Sequence, residues 1–164
     1  MSLRFPRFDE WQDVPVVEIL QDHFGIPVDL SSHVIGTTLA ESIFGRFKDL
    51  KNYFYVHLGP GLSLGIIIDG YVYRGGRAAV GEFGHVTVED EGQKCYCGNV
   101  GCLETVASDW ALIAQAEQAI KEGKTTKIPD YVDVDGAITP AAIFAAAENG
   151  DKLAAAIIDR AVPK

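Results

Sequence analysis

The sequence contains few cysteines and no long apolar run. Three of its 164 residues are cysteine, an odd number that does not suit the disulfide frameworks of small secreted proteins. None of its hydrophobic stretches approaches the ~20 residues that a membrane-spanning helix needs. The first residues also lack the apolar core of a secretory signal. We therefore expect a cytoplasmic protein without a membrane partner.

Positive charge is also scarce. Lysine and arginine are outnumbered 14 to 23 by aspartate and glutamate, which leaves a formal net charge of −9 at pH 7. Proteins that bind nucleic acids neutralise phosphates with a basic face, and the sequence contains no basic cluster of that kind. We therefore expect that any contact with DNA is made by a segment outside these residues.

The hydrophobic periodicity predicts a mixed fold, with strands in the first half and helices in the second. Strands are predicted at 26–30, 53–58, 64–68, 71–73 and 86–88. An Asp-Gly pair at 69–70 predicts a tight hairpin turn between two of these strands. Helices are predicted at 14–24, 32–44, 102–108, 110–122, 139–148 and 152–162. The fold class is therefore α/β, with an α+β appearance within this chain.

All three cysteines lie within eight residues. They are Cys95, Cys97 and Cys102, and His85 lies ten positions before the first. Three thiolates and one imidazole form the tetrahedral ligand set of a structural zinc ion, with no position left for a catalytic water. The alternative is three thiols beside an unrelated histidine, since Cys-x-Cys is tighter than the spacing in common zinc fingers. Two glycines between the last two cysteines favour the metal, because they allow a tightly folded loop.

Two glutamates bracket this cluster. Glu82 lies three residues before His85, and Glu104 lies two residues after Cys102. Carboxylates held in place by a metal loop suit the hydroxyl groups of a polar ligand such as a sugar. If one ring nitrogen of His85 binds the metal, the other is available to a ligand hydroxyl. The alternative is two solvated acidic side chains.

A glycine-rich run at 59–65 follows a predicted strand. Such a run can cradle phosphate with its backbone amides. A plain hairpin turn is the preferred interpretation, because Pro60 lacks an amide donor and two leucines add bulk where an anion must approach.

Two stretches of sequence carry a family resemblance. Gly-Glu-Phe-Gly-His at 81–85 and Cys-Tyr-Cys-Gly-Asn-Val-Gly-Cys-Leu-Glu-Thr-Val-Ala-Ser at 95–108 strongly resemble the signature of the ROK family of sugar kinases and sugar-responsive repressors. The resemblance runs from about residue 14 to the C-terminus. It implies a two-lobed actin-like ATPase fold, which is ribonuclease H-like. It also implies that a structural Zn²⁺ is held by His85, Cys95, Cys97 and Cys102, and that sugar hydroxyls are held by Glu82, His85 and Glu104.

The sequence departs from the kinase members of this family at one informative place. Ser32 and His33 stand where the kinases have Asn-Asp, and that aspartate is the general base for the attacking sugar hydroxyl. Histidine does not reproduce the hydrogen bonding of a carboxylate. The family's Asp-x-Gly-Gly-Thr phosphate motif and its adenosine-binding segment are also absent from these residues. The resemblance therefore favours a protein that is not an enzyme.

We expect residues 1–164 to be part of a ROK sugar-sensing domain, with a metal loop at 81–108 and a helical part at 109–164. Both ends of the domain and a winged helix-turn-helix that binds DNA would lie outside the chain. The expected function is that of an effector domain of a transcriptional regulator, similar to the xylose and N-acetylglucosamine repressors. It would bind a hexose without phosphorylating it and would form a homodimer or tetramer. The alternatives are a sugar kinase that uses His33 as its base and a zinc-stabilised scaffold without a ligand.

Overall fold

Strands and helices occupy separate stretches of the chain in the computed structural model, which describes residues 13–76 and 80–162. The elements in chain order are α1 Val16–Phe24, α2 His33–Phe44, β1 Tyr53–Leu58, β2 Leu62–Ile68, β3 Tyr71–Val72, α3 Glu104–Ala107, α4 Asp109–Lys121, α5 Pro140–Glu148 and α6 Lys152–Arg160. Short 3₁₀ helices lie at Phe83–His85 and Ile128–Tyr131. The chain forms two compact units, residues 1–49 and 50–164. The mixture of helices and strands agrees with the predicted fold class.

The first unit contains α1 and α2. Helix α1 ends where Gly25 adopts a left-handed conformation and donates its N–H to the carbonyl of Gln21 over 2.8 Å. The strand predicted at 26–30 is wrong, because these residues have no regular structure. Pro27 removes a ladder donor there, and no strand of the described residues pairs with the segment. Helix α2 then begins after the extended Ser32, as predicted.

The second unit begins with a three-stranded antiparallel sheet in the order β1-β2-β3. Leu58 pairs with Leu62, so residues 59–61 form the turn and the plain-hairpin interpretation of this run is confirmed. The turn between β2 and β3 is the predicted Asp-Gly pair, with positive φ angles of 52° at Asp69 and 84° at Gly70. Positive φ at both positions is the geometry of a type I′ hairpin.

The helices of the second unit pack around an apolar core that is rich in alanine. The eight core residues are Leu112, Ala116, Ile128, Ala142, Ile143, Ala146, Ala154 and Ile157. Their small side chains let α4, α5 and α6 approach closely, and the isoleucines fill the space between the helices. The predicted helices in this part are confirmed, with ends that differ by one or two residues.

Side chains cap these three helices at their N-termini. The hydroxyl groups of Ser108 and Thr139 and the carboxylate of Asp151 accept N–H groups from the first turns of α4, α5 and α6. No helix within 13–76 or 80–162 combines the length and the apolar composition that crossing a membrane requires.

Candidate metal centre and adjacent polar cluster

Backbone hydrogen bonds bring His85 beside the segment that contains Cys102. The short 3₁₀ helix Phe83–His85 turns the chain, and Thr87 then forms an isolated bridge with Cys102. The N–H of Leu103 donates to the carbonyl of Val86 over 2.9 Å. This single bridge replaces the strand predicted at 86–88, because no further residues of the segment pair.

A tight turn presents the other two thiols. Gly98 donates its N–H to the carbonyl of Cys95 over 3.0 Å, and Cys95 donates to the carbonyl of Asn99 over 2.8 Å. Gly101 follows with a φ of 68°, and a Cβ at that position would overlap the carbonyl oxygen of Glu89. Only glycine therefore fits at position 101 without moving the backbone of the metal loop.

The four ligand atoms of the predicted metal site lie within 4.8 Å of one another. The Sγ atoms of Cys97 and Cys102 are 3.7 Å apart, and Cys95 Sγ is 3.5 Å from Nδ1 of His85. Cys95 and Cys102 are buried, whereas Cys97 is exposed. The described residues thus bring together a cluster that can hold a metal ion.

The protein environment shifts the pKa values of the three thiols in different directions. Burial raises the pKa of Cys95 and raises the pKa of Cys102 to about 12. The backbone N–H of Asn99 donates to the sulfur of Cys97 and lowers the pKa of that thiol. A bound dication overrides such shifts, since a thiol that coordinates a metal is deprotonated.

The second ring nitrogen of His85 faces a polar cluster beside the metal centre. Its Nε2 is 3.6 Å from Oε2 of Glu82 and 3.3 Å from the hydroxyl of Tyr96. The two rings meet edge to face, with centroids 5.2 Å apart and an interplanar angle of 83°. One imidazole therefore links the thiol cluster on one side with a carboxylate and a phenol on the other.

Glu104 differs from Glu82 in being buried, with 4% of its surface exposed. Its Oε2 accepts the N–H of Leu62 over 3.0 Å, which ties the start of α3 to the turn between β1 and β2. A Cβ on Gly84 would lie 3.0 Å from this oxygen and 2.6 Å from the carbonyl oxygen of Leu62. The second glycine of the Gly-Glu-Phe-Gly-His run therefore makes room for the Glu104 carboxylate.

Sequence reasoning gave no role to Tyr96, which belongs to this cluster. Burial and the nearby charge of Glu104 both raise the pKa of Tyr96. The available signal was its position between two predicted metal ligands, which fixes its backbone on both sides. A side chain at that position therefore begins directly beside the ligand cluster.

His33 is the first residue of α2 and belongs to the unit formed by residues 1–49. Its backbone carbonyl accepts the hydroxyl of Thr37 over 3.0 Å, which is a contact within the helix. The assignment of His33 to the general-base position of kinases stays a prediction.

A family model described as the ROK family matches residues 3–163 of the chain. A xylose repressor of Caldicellulosiruptor bescii is 36% identical over 144 residues. That alignment covers 88% of this chain and 36% of the repressor, so the chain spans about a third of the length of this relative.

Two solved structures are similar to the chain in fold as well as in sequence. A ROK family transcriptional regulator, a homologue of the Escherichia coli Mlc protein, has a TM-score of 0.72 at 33% identity, with 92% of this chain and 37% of that chain covered. A ROK family glucokinase from Streptomyces griseus, in complex with glucose and AMPPNP, has a TM-score of 0.75 at 30% identity. That match covers 97% of this chain and 52% of the glucokinase.

Proposed function

The chain belongs to the ROK family, whose fold is that of the actin-like ATPases, and we propose that it senses a sugar within a cytoplasmic transcriptional regulator. It binds a hexose or hexose derivative and does not phosphorylate it. The observation that carries this proposal is that Nε2 of His85 lies beside Glu82 and Tyr96, with the carboxylate of Glu104 close to the same phenol. The repressor names of its relatives support the regulatory role, and DNA would be bound by a domain outside these residues.

Zinc is the metal that we propose for the four ligands. A tetrahedral zinc with Zn–S bonds of about 2.3 Å and a Zn–N bond of about 2.0 Å sets sulfur atoms about 3.8 Å apart and sulfur and nitrogen about 3.5 Å apart. The corresponding distances here are 3.7 Å for Cys97 and Cys102 and 3.5 Å for Cys95 and His85. When bound, the ion holds the metal loop closed and leaves no coordination position for water. Its role is therefore structural.

The polar cluster supplies complementary groups for sugar hydroxyls. The carboxylates of Glu82 and Glu104 accept hydrogen bonds, and Nε2 of His85 donates one when Nδ1 is the metal ligand. Glu82 is exposed and reaches the ligand from the solvent side, whereas Glu104 is buried and forms the floor. A polyhydroxylated ligand satisfies all three groups at once, which an apolar ligand does not.

The absence of phosphoryl transfer follows from His33. Transfer from ATP depends on positioning and on a base that takes the proton of the attacking hydroxyl. In our interpretation His33 occupies the position of the kinase aspartate, and an imidazole does not reproduce the hydrogen bonding of that carboxylate. Sugar binding by the metal loop then has no chemical step to follow it.

Calorimetric titration with a panel of hexoses tests the proposal. We expect heat of binding for at least one hexose, and the heat disappears in Glu82→Ala. Glu91→Ala removes another exposed acid of the same metal loop and is the matched control, which should bind as the unchanged chain does. Failure of every hexose to bind would favour the zinc-stabilised scaffold.

A ROK sugar kinase is the second candidate, because the solved glucokinase aligns with 97% of this chain. A coupled assay for ADP release distinguishes the two functions. It should use the longest natural form of the protein, MgATP and the same hexose panel. Hexose-dependent ADP release that Glu82→Ala abolishes would establish the kinase, whereas a rate equal to the blank supports the regulator.

A further inference from the structure

The side chain of Tyr96 lies inside the polar cluster that we assign to the sugar. Its hydroxyl is 3.3 Å from Nε2 of His85, and burial together with the nearby charge of the Glu104 carboxylate raises the pKa of the phenol. Its ring rests edge to face against the His85 imidazole. The phenol therefore contacts His85 and lies near Glu104, two of the three residues proposed to bind sugar hydroxyls.

The hydrogen-bond pattern of this phenol is the pattern expected of a sugar hydroxyl. Nδ1 of His85 faces the Sγ of Cys95, so the ring proton resides on Nε2 when Nδ1 is a metal ligand. The Tyr96 hydroxyl then accepts from Nε2, and the nearby Glu104 carboxylate is the group to which its own proton is directed. A sugar hydroxyl placed between an imidazole N–H and a carboxylate makes the same two bonds.

We propose that the Tyr96 hydroxyl occupies a sugar-hydroxyl position between His85 and Glu104, so that a hexose binds by displacing the phenol. The inference rests on the proposed function, because it presumes that the cluster binds sugar. It adds a residue to that site and makes that residue a competitor of the ligand.

The surroundings of Tyr96 allow such a displacement. Its chain neighbours Cys95 and Cys97 are both proposed metal ligands, so a bound ion would hold the backbone in place and the phenol would leave by rotation about its side-chain torsions. The residue is 54% exposed, which means that rotation toward solvent breaks few packing contacts. The losses are the edge-to-face contact and the hydrogen bond with His85 and the interaction with the Glu104 carboxylate, and the incoming hydroxyl replaces the last two.

The competition has a consequence for specificity. Only a hydroxyl that both accepts and donates replaces the interactions of the phenol with both His85 and Glu104. A deoxy sugar that lacks this hydroxyl does not recover the two bonds and leaves the phenol in place. The Tyr96 phenol thus disfavours deoxy sugars, which the same cluster without the phenol would bind more readily.

The test is calorimetric titration of Tyr96→Phe and the unchanged chain with the same hexose panel. Phenylalanine keeps the ring and removes the competing hydroxyl, so we expect sugar affinity to rise about threefold to tenfold, the worth of one net hydrogen bond. Tyr71→Phe removes an exposed hydroxyl from β3 and is the matched control. The zinc content of both variants should equal that of the unchanged chain.

A second readout follows the phenol itself. In chains with ¹³C-labelled tyrosine rings, saturating hexose should shift one tyrosine resonance that is absent from the Tyr96→Phe spectrum. Equal or weaker binding by Tyr96→Phe, with the unchanged chain binding normally, overturns the inference and leaves the proposed function intact. Binding by Tyr96→Phe alone supports the inference. Absence of binding in both proteins, with zinc present, removes the proposed function and the inference together.

Discussion

The metal loop (residues 81–108) and the helical part (residues 109–162) differ in the interactions that stabilise them. The helical part encloses eight buried apolar residues between three capped helices. The metal loop has little regular structure beyond a 3₁₀ turn and the four-residue α3, and its sections meet through isolated bridges. Packing therefore stabilises the helical part, whereas the proposed metal and its ligand side chains would stabilise the metal loop.

This difference has its origin in composition. The helical part contains alanine and isoleucine at helical spacing, which specifies both the helices and their contacts. The metal loop contains five glycines and three cysteines, and its apolar residues follow no period. The order of the metal loop therefore depends more on the convergence of its four ligand side chains than on apolar packing.

The largest effect is expected from Cys97→Ser. The Cys97 thiol is exposed, so its replacement removes a ligand with little change in packing. Because metal binding contributes about 10–16 kcal/mol in small zinc domains, the loss of one ligand should cost several kcal/mol and abolish stoichiometric zinc. Elemental analysis and hydrogen exchange check this, with faster exchange expected across 81–108 and little change across 109–162.

Val134→Ser, at a fully exposed position, is the control for this variant. A Cys97→Ser chain that retains one zinc per molecule would contradict the assignment of the ligands.

Ile143→Ala should affect the opposite region. Ile143 is fully buried in the helical core, and truncation of such a side chain costs about 2–5 kcal/mol. Urea denaturation should report that loss in the free energy of unfolding, with the zinc content unchanged. The neighbouring Phe144→Ala, at a partly exposed position, should cost clearly less. Equal costs for the two variants would mean that the core lies elsewhere.

Asp151 should make the stability of the helical part depend on pH. Its burial raises the pKa, but N–H groups of Ala154 and Lys127 and the hydroxyl of Thr126 donate to the carboxylate and hold the pKa of Asp151 below its usual value. Such a carboxylate contributes stability above its unfolded pKa of about 3.9, and the contribution disappears as pH falls through the folded value.

We therefore expect Asp151→Asn to be about 1–2 kcal/mol less stable at pH 7, with the difference shrinking below about pH 4. Urea denaturation across this pH range measures the free energy of unfolding of both proteins. Any contribution of the metal is the same in both and cancels in the difference. A difference that stays constant down to pH 2 would exclude a role for the charge.

The smallest effect is expected where the two regions meet. Arg160 at the end of α6 donates to both carboxylate oxygens of Glu89, with nitrogen–oxygen distances of 3.1 Å. Both side chains are partly exposed, so the pair should contribute about 0.2–1 kcal/mol, and less at high salt. A double-mutant cycle of Arg160→Gln and Glu89→Gln measures it. A coupling above about 2 kcal/mol would mean that the regions are not independent.

Sequence patterns predicted the local features of both regions. The Asp-Gly turn, the helices of the helical part and the convergence of His85 with three cysteines are confirmed. Each depends on residues that are close along the chain or on ligand chemistry that only a few residue types provide.

The remaining features depend on contacts between distant segments. Periodicity did not reveal that Glu104 would be buried and would accept the N–H of Leu62, which lies 42 residues earlier. It also did not reveal that the Tyr96 phenol would turn toward His85. The false strand at 26–30 has the same cause, since a short apolar run forms a strand only when another strand is available to pair with it.

One NMR experiment tests most directly whether this protein binds a sugar at Glu82, His85 and Glu104 without phosphorylating it. The longest natural form of the protein is mixed with MgATP and a hexose panel, and saturation transfer to each sugar is recorded with a ³¹P time course. We predict saturation of one hexose and a ³¹P spectrum that stays that of ATP. A growing signal of sugar phosphate and ADP, or the absence of saturation for every hexose, would contradict it.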